Sequence, residues 1–158
     1  MPPLSLYVHI PWCIKKCPYC DFNSHAKKAE LPESAYIDAL LLDLSLDIEK
    51  YAITRSIHSI FIGGGTPSLF SPESLDRLIA GIRQCVILEA DLEITLEANP
   101  GTFESEKFKE FNALGINRLS IGVQSFNDDL LTKLGRVHLG QEAIKAAEIA
   151  HDAGFTNF

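Results

Sequence analysis

The sequence predicts an α/β fold, a curled and partly closed βα barrel built on a parallel sheet. Three observations carry that prediction. Short apolar runs rich in β-branched and aromatic residues alternate with longer stretches whose apolar residues recur at helical spacing. Strands separated by helices form right-handed crossovers, which makes their sheet parallel. The chemically unusual residues fall directly after the strands, at the end where α/β sheets and barrels place their sites.

The elements follow in order. LYVHI, residues 6–10, is the first strand, and a cysteine loop follows it. Residues 33–51 place apolar side chains at helical spacing, with Pro32 near the start. HSIFI, 58–62, is a buried strand that runs into three glycines. In the helix at 71–87, Ser71 suits the N-cap and Pro72 the first helical position. LEITLEA, 92–98, is a strand ending at Asn99-Pro100-Gly101, a turn signal. Residues 104–114 are a helix stopped by Gly115. RLSIGV, 118–123, is the fourth strand, followed by helices around 127–134 and 140–153, the second stopped by Gly154. FTNF, 155–158, opens a fifth strand. That is about four βα units and the start of another, with no low-complexity segment.

Composition narrows the function. The chain has 158 residues, 46% of them apolar, enough for one domain with a sizeable core. Lys and Arg number 14 against 21 Asp and Glu, a formal charge of -7. An acidic chain is a poor ligand for a polyanion, so no nucleic-acid partner is expected. The pairs Lys15-Lys16 and Lys27-Lys28 are too short for a basic stripe and read as solvated loop charges, with an anion beside the cysteines left open. The N-terminus MPPLSLYVHI lacks a basic n-region and is broken by proline, so it does not read as a secretory signal. No apolar run nears the roughly 20 residues of a membrane span, although peripheral membrane contact stays open. The expected location is cytoplasmic, where thiols stay reduced and clustered cysteines point to metal or redox chemistry. Cys85 stands alone in an apolar run and reads as a buried small hydrophobe.

The cluster is WCIKKCPYCDFN, residues 12–23, with Cys13, Cys17 and Cys20 spaced C-x3-C-x2-C. Three cysteines can bind zinc with His9 or His25 as the fourth ligand. They can also hold a cubane [4Fe-4S] cluster with one iron open to an outside ligand. A pure electron carrier has no use for that vacancy, so the second reading implies a cluster that binds substrate. Zinc leaves Gly63-Gly64-Gly65-Thr66-Pro67 after the second strand unexplained. There, glycines allow positive φ and close backbone approach to a ligand, and Pro67 keeps Thr66 extended. No Gly-Lys-Ser/Thr follows, so this is no P-loop. Glu97 and Asn99 end the third strand, and Gln124 and Ser125 the fourth, so the strand-end rule gathers all of them on one rim.

C-x3-C-x2-C with Tyr19 before its last cysteine resembles the signature of the radical S-adenosylmethionine (SAM) superfamily. GGGTP after the next strand strengthens the likeness. The resemblance implies a (βα)6 TIM-like radical SAM barrel, of which residues 1–158 would be the N-terminal part, with the rest of the barrel and a C-terminal domain outside this chain. It implies that Cys13, Cys17 and Cys20 hold the cluster and that the open iron chelates the amino and carboxylate groups of SAM. An electron from the cluster then cleaves the sulfonium to a 5'-deoxyadenosyl radical. YVHIPWC, CPYCDFNS, FIGGGTPS, LEANP, NRLSIGVQSF and LGRVH are similar to the branch containing oxygen-independent coproporphyrinogen III oxidase and the HemW-type heme chaperones. The match runs from Tyr7 to at least His138. Carried over by position, Tyr7, Tyr19, Gly64, Gly65, Thr66, Glu97, Gln124 and Arg136 fall on cofactor-contacting positions. Chemically, Glu97 can accept from hydroxyls or an ammonium, Gln124 can donate and accept, and Arg136 can pair with a carboxylate.

Within that branch Phe22 is informative. The oxidase carries a further cysteine two residues after the last ligand; here that position is Phe22, and the HemW-type proteins also lack the cysteine. The resemblance therefore implies a heme chaperone that binds heme and passes it to a heme-accepting protein. The alternative is the SAM-dependent oxidative decarboxylase of porphyrin biosynthesis. Either needs an electron donor for the cluster. The heme ligand is open among the histidines and Cys85, and no catalytic residue is assigned.

Overall fold

The computed structural model describes residues 2–101 and 105–158. Its elements are β1 (Leu4–Ile10), β2 (Trp12–Cys13), β3 (His25–Ala26), α1 (Glu33–Tyr51), β4 (Ile57–Gly64), a 3-10 turn (Pro67–Leu69), α2 (Pro72–Cys85), β5 (Leu88–Ala98), α3 (Phe108–Ala113), β6 (Arg118–Ile121), α4 (Asp128–Lys133) and α5 (Gly140–Asp152). The main sheet has the order β1-β4-β5-β6 and every pair in it is parallel. Four strands each feeding a helix make the barrel half that alternating periodicity predicts.

Side-chain alternation decides which face is buried. Val8, Ile10, Ile60, Ile62, Ile94, Leu96 and Leu119 are all buried, at period-2 positions of their strands. Leu75, Leu78, Ile79 and Ile82 of α2 join the same core at i, i+3, i+4 and i+7 spacing. Ser71 caps α2: its Oγ accepts from the Ser74 N–H at 3.2 Å and donates to Glu33 Oε2 at 2.8 Å, which ties α2 to the first turn of α1. The opposite face of the sheet carries Tyr7, Phe61, Thr95 and Arg118, which are register partners in one row across all four strands.

The structure shifts several boundaries. β5 starts at Leu88, four residues before the expected 92, because Leu88 pairs with Ile57 across a register irregularity. α2 therefore stops at Cys85. Val86, past the helix end, packs against the core, and Cys85 is exposed, which corrects the reading of it as a buried hydrophobe. The helix expected over 104–114 is found at Phe108–Ala113; residue 104 lies outside the described residues. Residues 155–158 carry no strand assignment, although Phe155 is buried and the Leu119 N–H of β6 donates to Asn157 O at 3.2 Å. One ladder bond beside β6 is the beginning of strand pairing and not yet a strand. Among the described residues no helix is long and apolar enough to cross a membrane.

Candidate functional site

The site is assembled from the C-terminal ends of the four long strands. At the end of β1 the chain enters the cysteine loop, whose base is closed by the small parallel ladder of β2 and β3, Trp12 opposite His25 and Cys13 opposite Ala26. His25 N–H donates to Pro11 O at 2.7 Å and Lys27 N–H to Cys13 O at 2.8 Å. Cys20 N–H turns back onto Cys17 O at 3.0 Å, and Ser24 N–H onto Phe22 O at 2.7 Å. One side-chain string ties the far side of the loop to β1. The carbonyl of Asn23 can only accept, so His9 Nε2 donates to it at 2.8 Å, and His9 Nδ1 accepts from Tyr7 Oη at 2.8 Å. Both ring nitrogens of His9 are thus occupied, which removes it as a fourth zinc ligand in this arrangement.

The glycine turn at the end of β4 is packed against that loop. Gly65 N–H donates to Ile10 O at 2.8 Å and Thr66 N–H to Trp12 O at 2.7 Å. A Cβ on Gly65 would lie 2.6 Å from Trp12 O, and one on Gly64 2.5 Å from the His9 ring. Gly64 also has φ of +115°, a conformation that disfavours any side chain. The close approach expected of these glycines is therefore first an approach to the protein's own backbone. Gly64 N–H donates to Glu97 Oε2 at 2.9 Å and so fixes the carboxylate that ends β5. Thr66 is buried and its Oγ1 accepts from Asn99 Nδ2 at 2.9 Å.

Arg136 joins the other strand ends to the cysteine loop. Its Nη2 donates to Asn99 Oδ1 at 2.8 Å and to Gly122 O at 2.7 Å. Its Nη1 donates to Cys17 Sγ at 3.5 Å and Tyr19 Oη at 3.4 Å. Arg136 Nε is buried with no partner, a donor that a bound acceptor would satisfy. Behind it His138, 2% exposed, donates from Nε2 to Val123 O at 3.0 Å and offers Nδ1 to Arg136 Nη2 at 3.5 Å. Burial holds the His138 imidazole below its ordinary pKa, and the Arg136 charge acts in the same direction. Gln124 sits at φ of +66°, left-handed for a residue with a side chain, in the tight turn that follows β6.

These parts enclose a cavity of about 230 Å³. Cys13, Cys17, Cys20, Tyr19, Gly64, Gly65, Thr66, Glu97, Gln124 and Arg136 all line it. Tyr7 stands next door, in a cavity of about 270 Å³ that shares Phe22, Gly64 and Glu97 with the first and adds His9, Asn23 and Phe61. Burial, then the Glu97 charge, push the Tyr7 phenol up; Tyr19 is also pushed up, by burial and by its bond with Cys17. Ser125 does not line either cavity. Asn99, expected on the rim with Glu97, lines the first cavity, and Lys15, Ser24 and Ser120 line it beyond the expected set. His138 had a signal, two residues after Arg136 in LGRVH.

The three loop thiols share one wall of the cavity. All three are free and half-buried. Among the described residues no three His, Cys, Asp or Glu side chains converge as a single metal ion requires. A cubane spreads its thiolates over its separate irons. The facing wall offers a carboxylate, a carboxamide and backbone, the groups that complement an amino acid and a nucleoside.

The sequence model of the radical SAM superfamily matches residues 7–158. The chain is 55% identical to the heme chaperone HemW of Haemophilus influenzae over 161 residues, covering 100% of this chain and 42% of that protein. To the heme chaperone HemW of Escherichia coli K12 it is 54% identical over 158 residues, with the same coverage of 100% and 42%. Among solved structures, coproporphyrinogen III oxidase (HemN) from Escherichia coli, described as a radical SAM enzyme, superposes with a TM-score of 0.85 at 32% identity, covering 98% of this chain and 35% of that one. The chain thus spans about two fifths of the relatives it matches.

Proposed function

Because the chain belongs to the radical SAM superfamily, we propose that its rim cavity holds a [4Fe-4S] cluster on Cys13, Cys17 and Cys20 with SAM beside it, and that the whole protein is a heme chaperone. The observation that carries the first half is the single cavity lined by all three thiols, the glycine turn, Glu97 and Gln124. When bound, the reduced cluster supplies the electron that cleaves the SAM sulfonium. The chain's own residues position the ligand. Glu97, held by the Gly64 N–H, presents its carboxylate to hydroxyls or an ammonium. Gln124 offers both a donor and an acceptor from a turn whose backbone aims it inward. Thr66 and Asn99 brace the floor, Tyr19 stays a protonated phenol that can donate, and Tyr7, whose proton is held by His9 Nδ1, offers its oxygen as an acceptor.

The chaperone half rests on two supports. Relatives at 55% and 54% identity are heme chaperones. Phe22, 64% exposed at the mouth of both cavities, stands where the oxidase of this branch resembles the chain but carries a cysteine. Heme, a heme-accepting protein and an electron donor are then the partners. The second reading, a coproporphyrinogen III oxidase, is favoured by the structural likeness to HemN. Side-by-side assays of the full-length, anaerobically reconstituted protein separate the two. With coproporphyrinogen III, SAM and reductant we expect no turnover; with heme and then a heme-free acceptor we expect binding and transfer. Repeated porphyrinogen turnover, or no heme binding at all, would overturn the chaperone reading.

A further inference from the structure

We infer that the outer side of the cysteine loop is a docking surface for a small acidic electron-transfer protein, which Lys15, Lys16, Lys27 and Lys28 attract and Ile14, Tyr19 and Phe22 meet with apolar surface. The inference rests on reading Cys13, Cys17 and Cys20 as cluster ligands, and it assigns the place and the charge by which the cluster's reductant is held.

Charge is spread unevenly along the chain, whose formal total is -7. Residues 12–28 carry four lysines against one carboxylate, Asp21, a formal +3 that leaves -10 on the rest; the next carboxylate is Glu30. Folding brings the two lysine pairs together. β2 and β3 run parallel with Cys13 opposite Ala26, so Lys15-Lys16 and Lys27-Lys28 leave the small ladder at the same end. The Lys27 N–H donates to Cys13 O at 2.8 Å, which sets the second pair against the backbone of a cluster ligand. Lys16 Nζ reaches across the loop to Phe22 O at 3.3 Å. All four lysines are exposed, and among the described residues none forms an ion pair. Lys15 lines the rim cavity, but Lys16, Lys27 and Lys28 line neither that cavity nor its neighbour, so what the cavities hold does not account for them.

A cluster that must be reduced needs a donor that comes close and leaves again. Encounters of that kind use small interfaces with an apolar centre and a polar rim, and charge steers them. The loop supplies both parts. Ile14, Tyr19 and Phe22 are exposed large apolar side chains, and Tyr19 and Phe22 stand at the cavity that all three thiols line. The lysines supply a positive field on a molecule that is otherwise negative. An acidic partner is drawn to this face and repelled by the remainder, so the charge orients it as well as speeding its approach. A basic donor would be drawn to every other face instead. The step itself is the transfer of one electron: the reduced donor protein loses it, the oxidised cluster gains it, and no bond forms or breaks.

The test uses the full-length, anaerobically reconstituted protein, with reduced flavodoxin as the acidic probe and reduced methyl viologen, a small cation, as the control reductant. Stopped-flow absorbance follows reduction of the cluster. In the wild-type protein the flavodoxin rate should fall as salt rises, because salt screens the attraction. Lys27→Glu combined with Lys28→Glu, outside both cavities, should slow the flavodoxin reaction about tenfold at low ionic strength and flatten its salt dependence, with iron content unchanged and no loss of viologen rate. Lys50→Glu, in the last turn of α1 at the opposite end of the strands, should leave the flavodoxin rate within about twofold. A wild-type flavodoxin rate in the Lys27→Glu, Lys28→Glu protein overturns the inference, and so does a wild-type rate insensitive to salt. Equal slowing by Lys50→Glu would trace the effect to net charge, and slowing shared with viologen would trace it to the cluster; either result also overturns the docking surface. A wild-type protein that assembles no cluster under the same conditions overturns the reading of the cysteines themselves, which is a different failure.

Discussion

The glycine turn after β4 and the cysteine loop after β1 meet at the same rim but are held by different physics. In the turn, Gly63, Gly64, Thr66, Pro67 and Ser68 are buried, backbone amides are spent on β1 and its extension, and a side chain at Gly65 would strike a peptide carbonyl. In the loop, the backbone is closed at its base, while Cys13, Cys17 and Cys20 are half-buried and pair with no one another. The turn is complete as folded. The loop presents three free thiols on one wall of the cavity, which we propose hold a cluster. On the proposed reading, the difference separates residues kept for the fold from residues kept for a ligand, although both line one cavity.

Substitutions break that comparison in opposite ways. The largest expected effect is on the loop: Cys17→Ala should reduce bound iron to background after anaerobic reconstitution, read by iron and sulfide analysis and by EPR. Its free energy of unfolding in urea, in the cluster-free protein, should change little, by about 0.5 kcal/mol or less, as for a half-exposed position without a fold-determining role. Cys85→Ala, on the exposed end of α2, should leave the iron content at the wild-type level. Iron lost equally in Cys85→Ala would end the distinction between the cysteines.

The turn should behave the other way round. Gly65→Val places a branched side chain 2.6 Å or less from the Trp12 carbonyl, a contact that only backbone movement can relieve. We expect a loss of about 2–4 kcal/mol in urea unfolding, from overpacking against backbone. Gly64→Val should also weaken SAM binding, but through φ of +115° and the His9 ring as much as through a blocked ligand. A Gly65→Val protein as stable as wild type would show that turn and loop are not wedged together as described.

Much of this was legible from residue order alone. Period-2 and period-3.6 patterns located every long strand and helix, and strand ends collected the cysteines, Glu97 and Gln124 on one rim, because connectivity leaves parallel strands no other arrangement. What was not legible came from pairing and from geometry across the sheet. β5 begins at Leu88 because Ile57 is there to receive it, a partner 31 positions away in the chain. Cys85 sits in an apolar run yet is exposed, since the helix ends under it. The two-residue ladder of β2 and β3 is too short for any periodicity to reveal. Arg136 was singled out only through the family resemblance, and that it meets Asn99, Gly122 and Cys17 depends on three elements converging.

The smallest effect we expect concerns His138, which braces Arg136 from behind and so belongs to the turn-like, fold-completed side of the comparison. Its pKa lies below the ordinary 6.5, chiefly because it is buried, with the Arg136 charge adding to the effect. In the unfolded chain it titrates near 6.5. Between the folded value and 6.5 the unfolded state binds more protons, so stability rises with pH across that window. Acidification from neutral pH should therefore cost stability as the pH falls through 6.5, and the loss should level off once the folded imidazole also takes up its proton. Urea unfolding at pH 7.5 and pH 5.5, compared with His138→Gln, isolates the contribution: the variant should show a shallower pH dependence, with its Nε2 amide able to reach the Val123 carbonyl that His138 now holds. Equal pH dependence in the two proteins would mean that His138 is protonated without penalty in the fold, and that the wall behind Arg136 is wetter and looser than the turn it has been grouped with.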